Sequence, residues 1–307
     1  MLLLLLGGAL GCARESAADP PVERHAGLAG SRLLALADDQ LLLWEPTGRA
    51  ELRAGAGTWT PEFRLPLKPI VAAQADAEGF LIAGSAGAGS AAVVALSPLG
   101  KERVRWTLPG DGAFGFVADA RGPRAVTRGG IVALNPDGTI GALEPFAKGT
   151  TPSVIAREGG DVLCRPADLS EAHSAPGECA RGGAHSWRFE AQFVEAPVAC
   201  GDWLAVGDGF EPGGMETRRI AAHSLGSGEV GGRAAFLVHP AVACASSNEL
   251  LVGEKRLVLL RLPGLEAGWS RQIEGSAPVR DLAVLKSFFA YRIDGSLEVM
   301  LVPRPGS

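Results

Sequence analysis

The sequence is poor in aromatic residues and has no strongly basic segment. Aromatic residues make up 6% of its 307 residues, with a single tyrosine, so a surface that stacks sugar rings has little to draw on. No cluster of Lys and Arg offers a footprint for phosphates, and the formal net charge is -5. Hydrophobic residues reach 47%, which is typical of a folded globular chain. We therefore expect a globular protein that does not bind nucleic acid.

Long apolar runs are missing except at the start of the chain. Residues 2–10 are too few for a bilayer span, which needs about 20 apolar residues, and they match the apolar region of an export signal. The run ends in the letters ALGC at residues 9–12, which resemble a bacterial lipobox, where the cysteine is lipidated and becomes the mature N-terminus. This pattern predicts a signal peptide over residues 1–11, lipidation of Cys12 and a tether over residues 12–21. The alternative is an ordinary cleaved signal, with Cys12 lost or free.

The residue after the cysteine bears on which membrane would hold the anchor. Ala13, rather than Asp, follows Cys12, and by resemblance to enteric sorting signals this favours the outer membrane. Several acyl chains hold a protein firmly, whereas a single chain binds a membrane only marginally. The expectation is an exported protein that is attached by lipid alone to the periplasmic side of the outer membrane.

Cysteine is scarce, and four cysteines remain when Cys12 is set aside: Cys164, Cys179, Cys200 and Cys244. An even number in an exported protein suggests disulfides. The first two flank a loop rich in Pro, Ala, Ser and Gly, so we predict a bond between them. The last two end matching phrases, PVAC and AVAC, in neighbouring repeats, and would bond if their strands are adjacent; the alternative is two buried free thiols. No CxxC or clustered His accompanies them, which disfavours a metal site.

One phrase recurs along the chain: a Pro or Gly followed by an alternating apolar strand. It starts near residues 27, 69, 112, 152, 197, 240 and 278, at intervals of 38 to 45 residues. In the clearest copy, residues 69–110, turn residues separate four short β-rich runs, which are predicted as strands over residues 69–74, 80–84, 91–96 and 104–108. Four-stranded units of about 40 residues without helical periodicity are typical of propeller blades. We therefore predict an all-β, seven-bladed β-propeller over residues 22–303, or six or eight blades if one unit is divided wrongly.

The last unit, residues 278–303, has room for only three strands. A propeller must close its ring or expose a strand edge that invites aggregation. We expect a strand from near Val22 to Gly30 to complete the seventh blade, which leaves residues 304–307 as a tail. Because one sheet cannot bury both of its faces alone, the hydrophobic core is predicted to lie between blades.

A second phrase closes the third strand of a unit with a tight turn. It reads LLWEPTG at residues 42–48, VALSPLG at residues 94–100 and VALNPDG at residues 132–138. Pro presets φ at the first corner, and Gly accepts the positive φ that the turn requires. The spacing therefore predicts a hairpin between the third and fourth strands.

Residues 93–106, VVALSPLGKERVRW, resemble the repeat of quinoprotein-type propellers, the PQQ-like family. That repeat favours Ala-Leu-Asp, a Thr-Gly-Lys turn and a Trp that docks between blades. The positions that match by residue type are Ala95, Leu96, Gly100, Lys101 and Trp106, echoed by Leu259, Gly264 and Trp269. The resemblance implies the fold and says little about a ligand, because propellers host many functions.

Residues that would carry catalysis or hold a metal are scattered. No HxH or HExxH spacing joins the histidines, which are His25, His173, His185, His223 and His239. Asp-Gly steps at residues 111, 137, 208 and 294 lack the carboxylate run of a calcium loop and read as hairpin turns. No phosphate loop or Gly-x-Ser-x-Gly elbow occurs. We therefore nominate no catalytic, metal or cofactor site, and interpret the six tryptophans as packing between blades, with a ligand-stacking ring as the alternative.

The functional hypothesis from sequence is a non-enzymatic envelope lipoprotein that binds or scaffolds another envelope protein. The analogy is with the propeller lipoprotein of the β-barrel assembly machinery, and strand addition at a blade edge is one means of binding. One alternative is a propeller enzyme, either a quinoprotein or a lactonase with a metal in the central channel. Another is a carbohydrate-binding propeller, which would need aromatic and carboxylate pairs at one place in each blade.

Overall fold

The structure is a computed structural model, and its regular elements are all strands in the part of the chain that it describes. It describes residues 21–306 apart from residues 56, 88–89, 109–112, 120, 147–151, 156–160, 167–175, 183–185, 192–195, 209–217, 237–239 and 276. The predicted signal peptide and Cys12 lie outside the described residues, as do His173, His185 and His239. Within the described ranges, no helix is long and apolar enough to cross a membrane.

The strands are short and follow one another through the chain. The first half contains β1 Glu23–Ala26, β2 Arg32–Ala35, β3 Leu41–Trp44, β4 Arg49–Arg53, β5 Phe63–Arg64, β6 Ile70–Asp76, β7 Gly79–Gly87, β8 Ser90–Leu96, β9 Glu102–Leu108, β10 Ala113–Asp119, β11 Gly122–Thr127, β12 Gly130–Leu134, β13 Ile140–Pro145 and β14 Ser153–Ile155. The second half contains β15 Val162–Arg165, β16 Gly177–Arg181, β17 Trp187–Ala191, β18 Val198–Cys200, β19 Trp203–Asp208, β20 Arg218–Ser224, β21 Val230–Phe236, β22 Ala241–Ser246, β23 Glu249–Gly253, β24 Arg256–Arg261, β25 Glu266–Gln272, β26 Val279–Val284, β27 Phe288–Ile293 and β28 Glu298–Pro303.

These strands form seven four-stranded antiparallel sheets, here called blades 1 to 7. Blades 1 to 6 are β2–β5, β6–β9, β10–β13, β14–β17, β18–β21 and β22–β25, and blade 7 is β26–β28 with β1. The first strand of each blade is innermost: β2 contacts β6 and β26, β10 contacts β6 and β14, and β22 contacts β18 and β26. The chain is thus a seven-bladed β-propeller, which confirms the predicted blade count over six or eight.

Blade 7 takes its outermost strand from the start of the propeller. Strand β1 pairs antiparallel with β28, placing Glu23 opposite Leu301 and Ala26 opposite Glu298. The prediction of an N-terminal closing strand is confirmed, but the strand ends at Ala26 rather than near Gly30. A turn ends the segment, because Gly30 has φ 73° and the Ser31 N–H donates to the Leu28 carbonyl.

The hydrophobic core lies between blades, as the sequence predicted. Strand β3 is buried along its whole length. Leu42 and Trp44 pack against blade 2, whereas Leu41 and Leu43 pack against blade 7. Side chains alternate across a strand, so one apolar run supplies two neighbouring interfaces.

Three hairpin turns have the geometry that their Pro-x-Gly spacing predicted. Gly48, Gly100 and Gly138 have φ values of 84°, 76° and 85°. Each glycine N–H donates to the carbonyl three residues earlier. This positive φ is accessible to glycine and strained for most other residues.

Both disulfides proposed from the sequence are present. Cys164 and Cys179 are register partners on β15 and β16, with Cα atoms 4.1 Å apart. Cys200 and Cys244 join the innermost strands of blades 5 and 6, with Cα atoms 5.3 Å apart. The first bond staples one blade, and the second ties two blades together.

Candidate functional site

A concave site with polar side chains, here called the channel site, lies where strands of four blades converge near the propeller axis. Its volume is about 390 Å³, and blades 1, 2, 3 and 7 contribute to its wall. Ligand sites in proteins are commonly clefts of this order of size with a few convergent polar groups. The side chains that give the site its chemistry are Arg32, Trp44, Val71, Gln74, Phe116 and Asp281.

Arg32 is held against an aromatic platform. The guanidinium carbon lies 5.4 Å from the centroid of the Trp44 ring, which is itself buried in the interface with blade 2. Register explains the contact, because Arg32 and Trp44 are opposite each other on β2 and β3. A guanidinium over an indole face gains a cation–π attraction, which restrains an otherwise exposed side chain.

Asp281 joins the inner strand of blade 7 to that of blade 1. Its Oδ2 accepts a hydrogen bond from the Leu33 N–H at 2.7 Å, and its Oδ1 accepts one from the Leu282 N–H at 2.9 Å. Burial raises the pKa of the Asp281 carboxyl above its usual range, against the lowering effects of these two donors and of Arg292 and Arg32. The carboxyl therefore serves as a clamp between blades at the wall of the site.

Arg292 lies behind this wall and is buried. Its guanidinium donates to the Ser31 carbonyl and, at 2.8 Å, to the Ser296 carbonyl. Burial lowers the pKa of Arg292, and the nearby charge of Asp281 acts in the opposite direction. The two side chains thus place compensating charges in the interface between blades 7 and 1.

Two of the tryptophans, Trp106 and Trp187, each form a hydrogen bond from one blade to the next. The Trp106 Nε1–H on β9 donates to the Asn135 carbonyl at 2.7 Å, in the β12–β13 turn of blade 3. The Trp187 Nε1–H on β17 donates to the Leu225 carbonyl at 3.1 Å, just after β20 of blade 5. In each case an outermost strand is fixed to a hairpin turn of the following blade. For Trp106 and Trp187, these contacts are those of packing between blades.

The histidines that the structure describes are also packing residues. His25 on β1 stacks on Trp59 with ring centroids 3.6 Å apart, and its Nε2 lies 2.9 Å from Glu51 Oε2. His223 on β20 stacks on Phe189 of the preceding blade at 3.7 Å. Among the described residues, no group of three or more His, Cys, Asp or Glu is placed to hold a metal ion.

Sequence reasoning did not single out the residues of the channel site. Arg32 and Asp281 both lie in the phrases that open a repeat, GLAGSRLL and PVRDL. A charged residue inside an otherwise apolar opening strand was the available signal. The opening strands prove to be innermost, so these charges converge on the central channel.

The fold resembles solved β-propellers over nearly the whole chain. BamB from Moraxella catarrhalis matches with a TM-score of 0.56 and 11% identity, covering 93% of this chain and 99% of that chain. BBS1N, in its complex with ARL6DN, matches with a TM-score of 0.60 and 16% identity, covering 95% and 93%. An inactive virginiamycin B lyase from Staphylococcus aureus, solved with quinupristin, matches with a TM-score of 0.61 and 14% identity, covering 92% and 99%.

At these identities the likeness shows the fold alone. No protein-family model matches the chain, and no curated protein matches it. The comparisons include both a propeller in complex with another protein and a propeller enzyme, so the choice between such roles depends on the residues of this chain.

Proposed function

We propose that the chain is an exported, lipid-anchored propeller that binds another protein of the bacterial envelope without catalysing a reaction. The observation that carries the proposal is the pair of disulfides, in a chain whose residues 2–10 resemble the apolar region of an export signal. Disulfides persist in oxidising compartments such as the periplasm. The lipobox at residues 9–12 supplies the anchor at Cys12, on the periplasmic side of the outer membrane.

The solved structures that this fold resembles support protein binding. BamB and the BBS1N domain in complex with ARL6DN share this propeller architecture over more than nine-tenths of the chain. Among the described strands, the outermost strand of each blade is paired in its sheet along one edge only, which suits strand addition by a partner. The docking of Trp106 is the arrangement that a PQQ-like repeat implies for this residue, and we include that family in the proposal.

The experiment is affinity capture of a C-terminally tagged chain from detergent-extracted membranes, with mass spectrometry of the captured proteins and of the intact N-terminus. We expect a triacylated Cys12 and recovery of one envelope protein in a stoichiometric amount. The Cys12→Ser variant is the control, and it should lose the anchor while the folded propeller keeps its partner in detergent.

Two results would contradict the proposal. An unmodified N-terminus would remove the anchor, and a stoichiometric bound metal or quinone without a protein partner would favour the enzyme alternative. Capture of one partner by a chain that carries no lipid would preserve the binding function and correct only the localisation.

A further inference from the structure

We propose that the mouth of the central channel is a binding site for a carboxylate carried on a short apolar body, with Arg32 as the residue that recognises it. The carboxylate belongs either to a small organic acid or to the C-terminus or an acidic side chain of a peptide. The inference is independent of the proposed envelope function, because it rests on the channel site alone. Its cavity of about 390 Å³ is within the usual range for small ligands.

Arg32 has an unused set of donors in a restrained position. Its guanidinium lies over the Trp44 ring at 5.4 Å, and no described residue accepts a hydrogen bond from it or forms an ion pair with it. A guanidinium presents parallel N–H groups that match the two oxygens of a carboxylate. Because the indole already restrains Arg32, binding costs less side-chain freedom than it would for a mobile surface arginine.

The acidic group of the site, Asp281, acts on Arg32 through space, but among the described residues it forms no hydrogen bond or ion pair with it. Both Asp281 oxygens accept backbone N–H groups, from Leu33 and Leu282, and the buried guanidinium of Arg292 lies on the same side. The charge of Asp281 is thus countered by these groups in the interface between blades 7 and 1. An incoming anion therefore meets Arg32 as the exposed charge of the site.

The remaining wall defines the rest of the ligand. Gln74 on β6 lines the cavity, and no described residue forms a hydrogen bond with its amide, so it offers a second donor. Val71 is 47% exposed, and Phe116 on β10, which also lines the cavity, is partly buried. An apolar group attached to the carboxylate would cover these two side chains, which gives the site a preference beyond charge.

The test is calorimetric titration of the purified full chain with matched pairs of probes. One pair is 3-phenylpropionate and its amide; the other is acetyl-Ala-Phe with a free and with an amidated C-terminus. We expect the carboxylate of at least one pair to bind and its amide to bind roughly tenfold or more weakly, since a hydrogen-bonded charge pair contributes that much. Binding of the acid alone identifies a small-molecule site, and binding of the peptide alone identifies a peptide site.

The decisive variant is Arg32→Gln, and the matched control is Arg188→Gln, an arginine that is 61% exposed on the outermost strand of blade 4. Arg32→Gln should weaken carboxylate binding roughly ten- to a hundredfold, whereas Arg188→Gln should leave it unchanged. Arg32→Lys keeps the charge without the bidentate geometry, so its affinity for the carboxylate should lie between those of the wild type and Arg32→Gln. Equal thermal unfolding of the variants shows that folding is intact.

A second measurement on the same samples shows where the carboxylate binds. In amide NMR spectra, the added carboxylate should shift the signals of residues 71–74 and Gly115, which line the cavity. Equal binding of carboxylate and amide, equal loss in Arg32→Gln and Arg188→Gln, shifts confined to other blades, or no binding of any probe at millimolar concentration would each overturn the assignment.

Discussion

At the scale of single residues, one buried ion pair links blades 3 and 4. The Arg124 Nη1 lies 2.7 Å from Asp161 Oδ2, and the two side chains are 4% and 12% exposed. Arg121 adds a second contact, with its Nη2 2.5 Å from Asp161 Oδ1. Burial acts to raise the pKa of Asp161, but hydrogen bonds and charge from both arginines outweigh it and hold the pKa below its usual range.

Replacing this carboxylate should destabilise the fold in a pH-dependent way. We expect Asp161→Asn to lower the free energy of unfolding by about 2 kcal/mol near neutral pH, because it removes a negative charge that is hydrogen-bonded to a buried guanidinium. A folded-state pKa below the unfolded value gives stability that is full above about pH 4 and is lost as the pH falls through the lowered pKa. Urea unfolding of wild type and variant at several pH values measures this difference, which should shrink on acidification.

The control for this change is Asp294→Asn. Asp294 lies 3.6 Å from Arg280, and both side chains are more than half exposed, so their interaction is screened by solvent. Its replacement should change stability by less than about 0.5 kcal/mol. A difference between wild type and Asp161→Asn that stays constant across pH would show that Asp161 acts through shape rather than charge.

At the scale of elements, the outermost strands are fixed by their tryptophans. Trp106→Phe keeps an aromatic ring but leaves the Asn135 carbonyl without the indole donor. We expect a loss of about 2 kcal/mol in guanidinium unfolding, from an unsatisfied acceptor and a smaller buried ring. Trp269→Phe on β25 is the matched control, because no described residue accepts a hydrogen bond from its indole and its ring is only partly buried. A loss in the control as large as that for Trp106 would assign the effect to ring volume.

The two disulfides differ in what they connect, and their removal should differ accordingly. The bond within blade 4 closes a loop of 15 residues, whereas the bond between blades 5 and 6 closes one of 44. The chain-entropy model gives about 3 and about 4 kcal/mol. Denaturation of the two double-serine variants, at Cys164 with Cys179 and at Cys200 with Cys244, should therefore show the larger loss for the second pair. A larger loss for the first pair would indicate that local packing, rather than loop length, sets the order.

The elements themselves were largely predictable, because they repeat. In the clearest unit the predicted runs 69–74, 80–84, 91–96 and 104–108 correspond to β6 to β9, with ends displaced by at most three residues. Alternation, turn glycines and a constant interval all depend on neighbours in the chain, so they can be read without a structure.

The channel site was not predictable in the same way. Asp281 accepts the Leu33 N–H across 248 positions of the chain, and the partnership exists only once the ring closes. The inward position of Arg32 likewise follows from which strand is innermost, which the repeat alone does not specify. Nonlocal register, rather than composition, placed these residues together.

At the scale of the whole molecule, a strand of four residues, β1, completes the last blade of the ring. The Glu23 carboxylate holds the Arg53 guanidinium of blade 1 at 2.9 Å and 3.2 Å, and Arg53 is 3% exposed. His25 adds the stack on Trp59 and the contact with Glu51. Strand β1 therefore completes blade 7 and also fastens it to blade 1.

Removing this strand should open the ring. A chain that lacks residues 1–26 loses β1, which leaves β28 as a free edge and the buried Arg53 without its carboxylate. We expect a lower midpoint of thermal unfolding and concentration-dependent self-association, because an unpaired edge of buried apolar residues recruits other chains. A chain that lacks residues 1–20, which keeps β1, is the control and should remain monodisperse in analytical ultracentrifugation.

A synthetic peptide of residues 21–31, added to the shortened chain, separates closure from other effects of truncation. If β1 acts by pairing with β28, the peptide should restore the unfolding midpoint and suppress association, and it should do so in proportion to its concentration, since a ligand that binds the folded state alone stabilises it by mass action. The same peptide with Glu23→Gln would keep the backbone pairing and lose the charge beside Arg53, so weaker rescue by this variant would separate the ion pair from the strand. A shortened chain as stable and monomeric as the control would mean that the other blades hold the ring closed without β1.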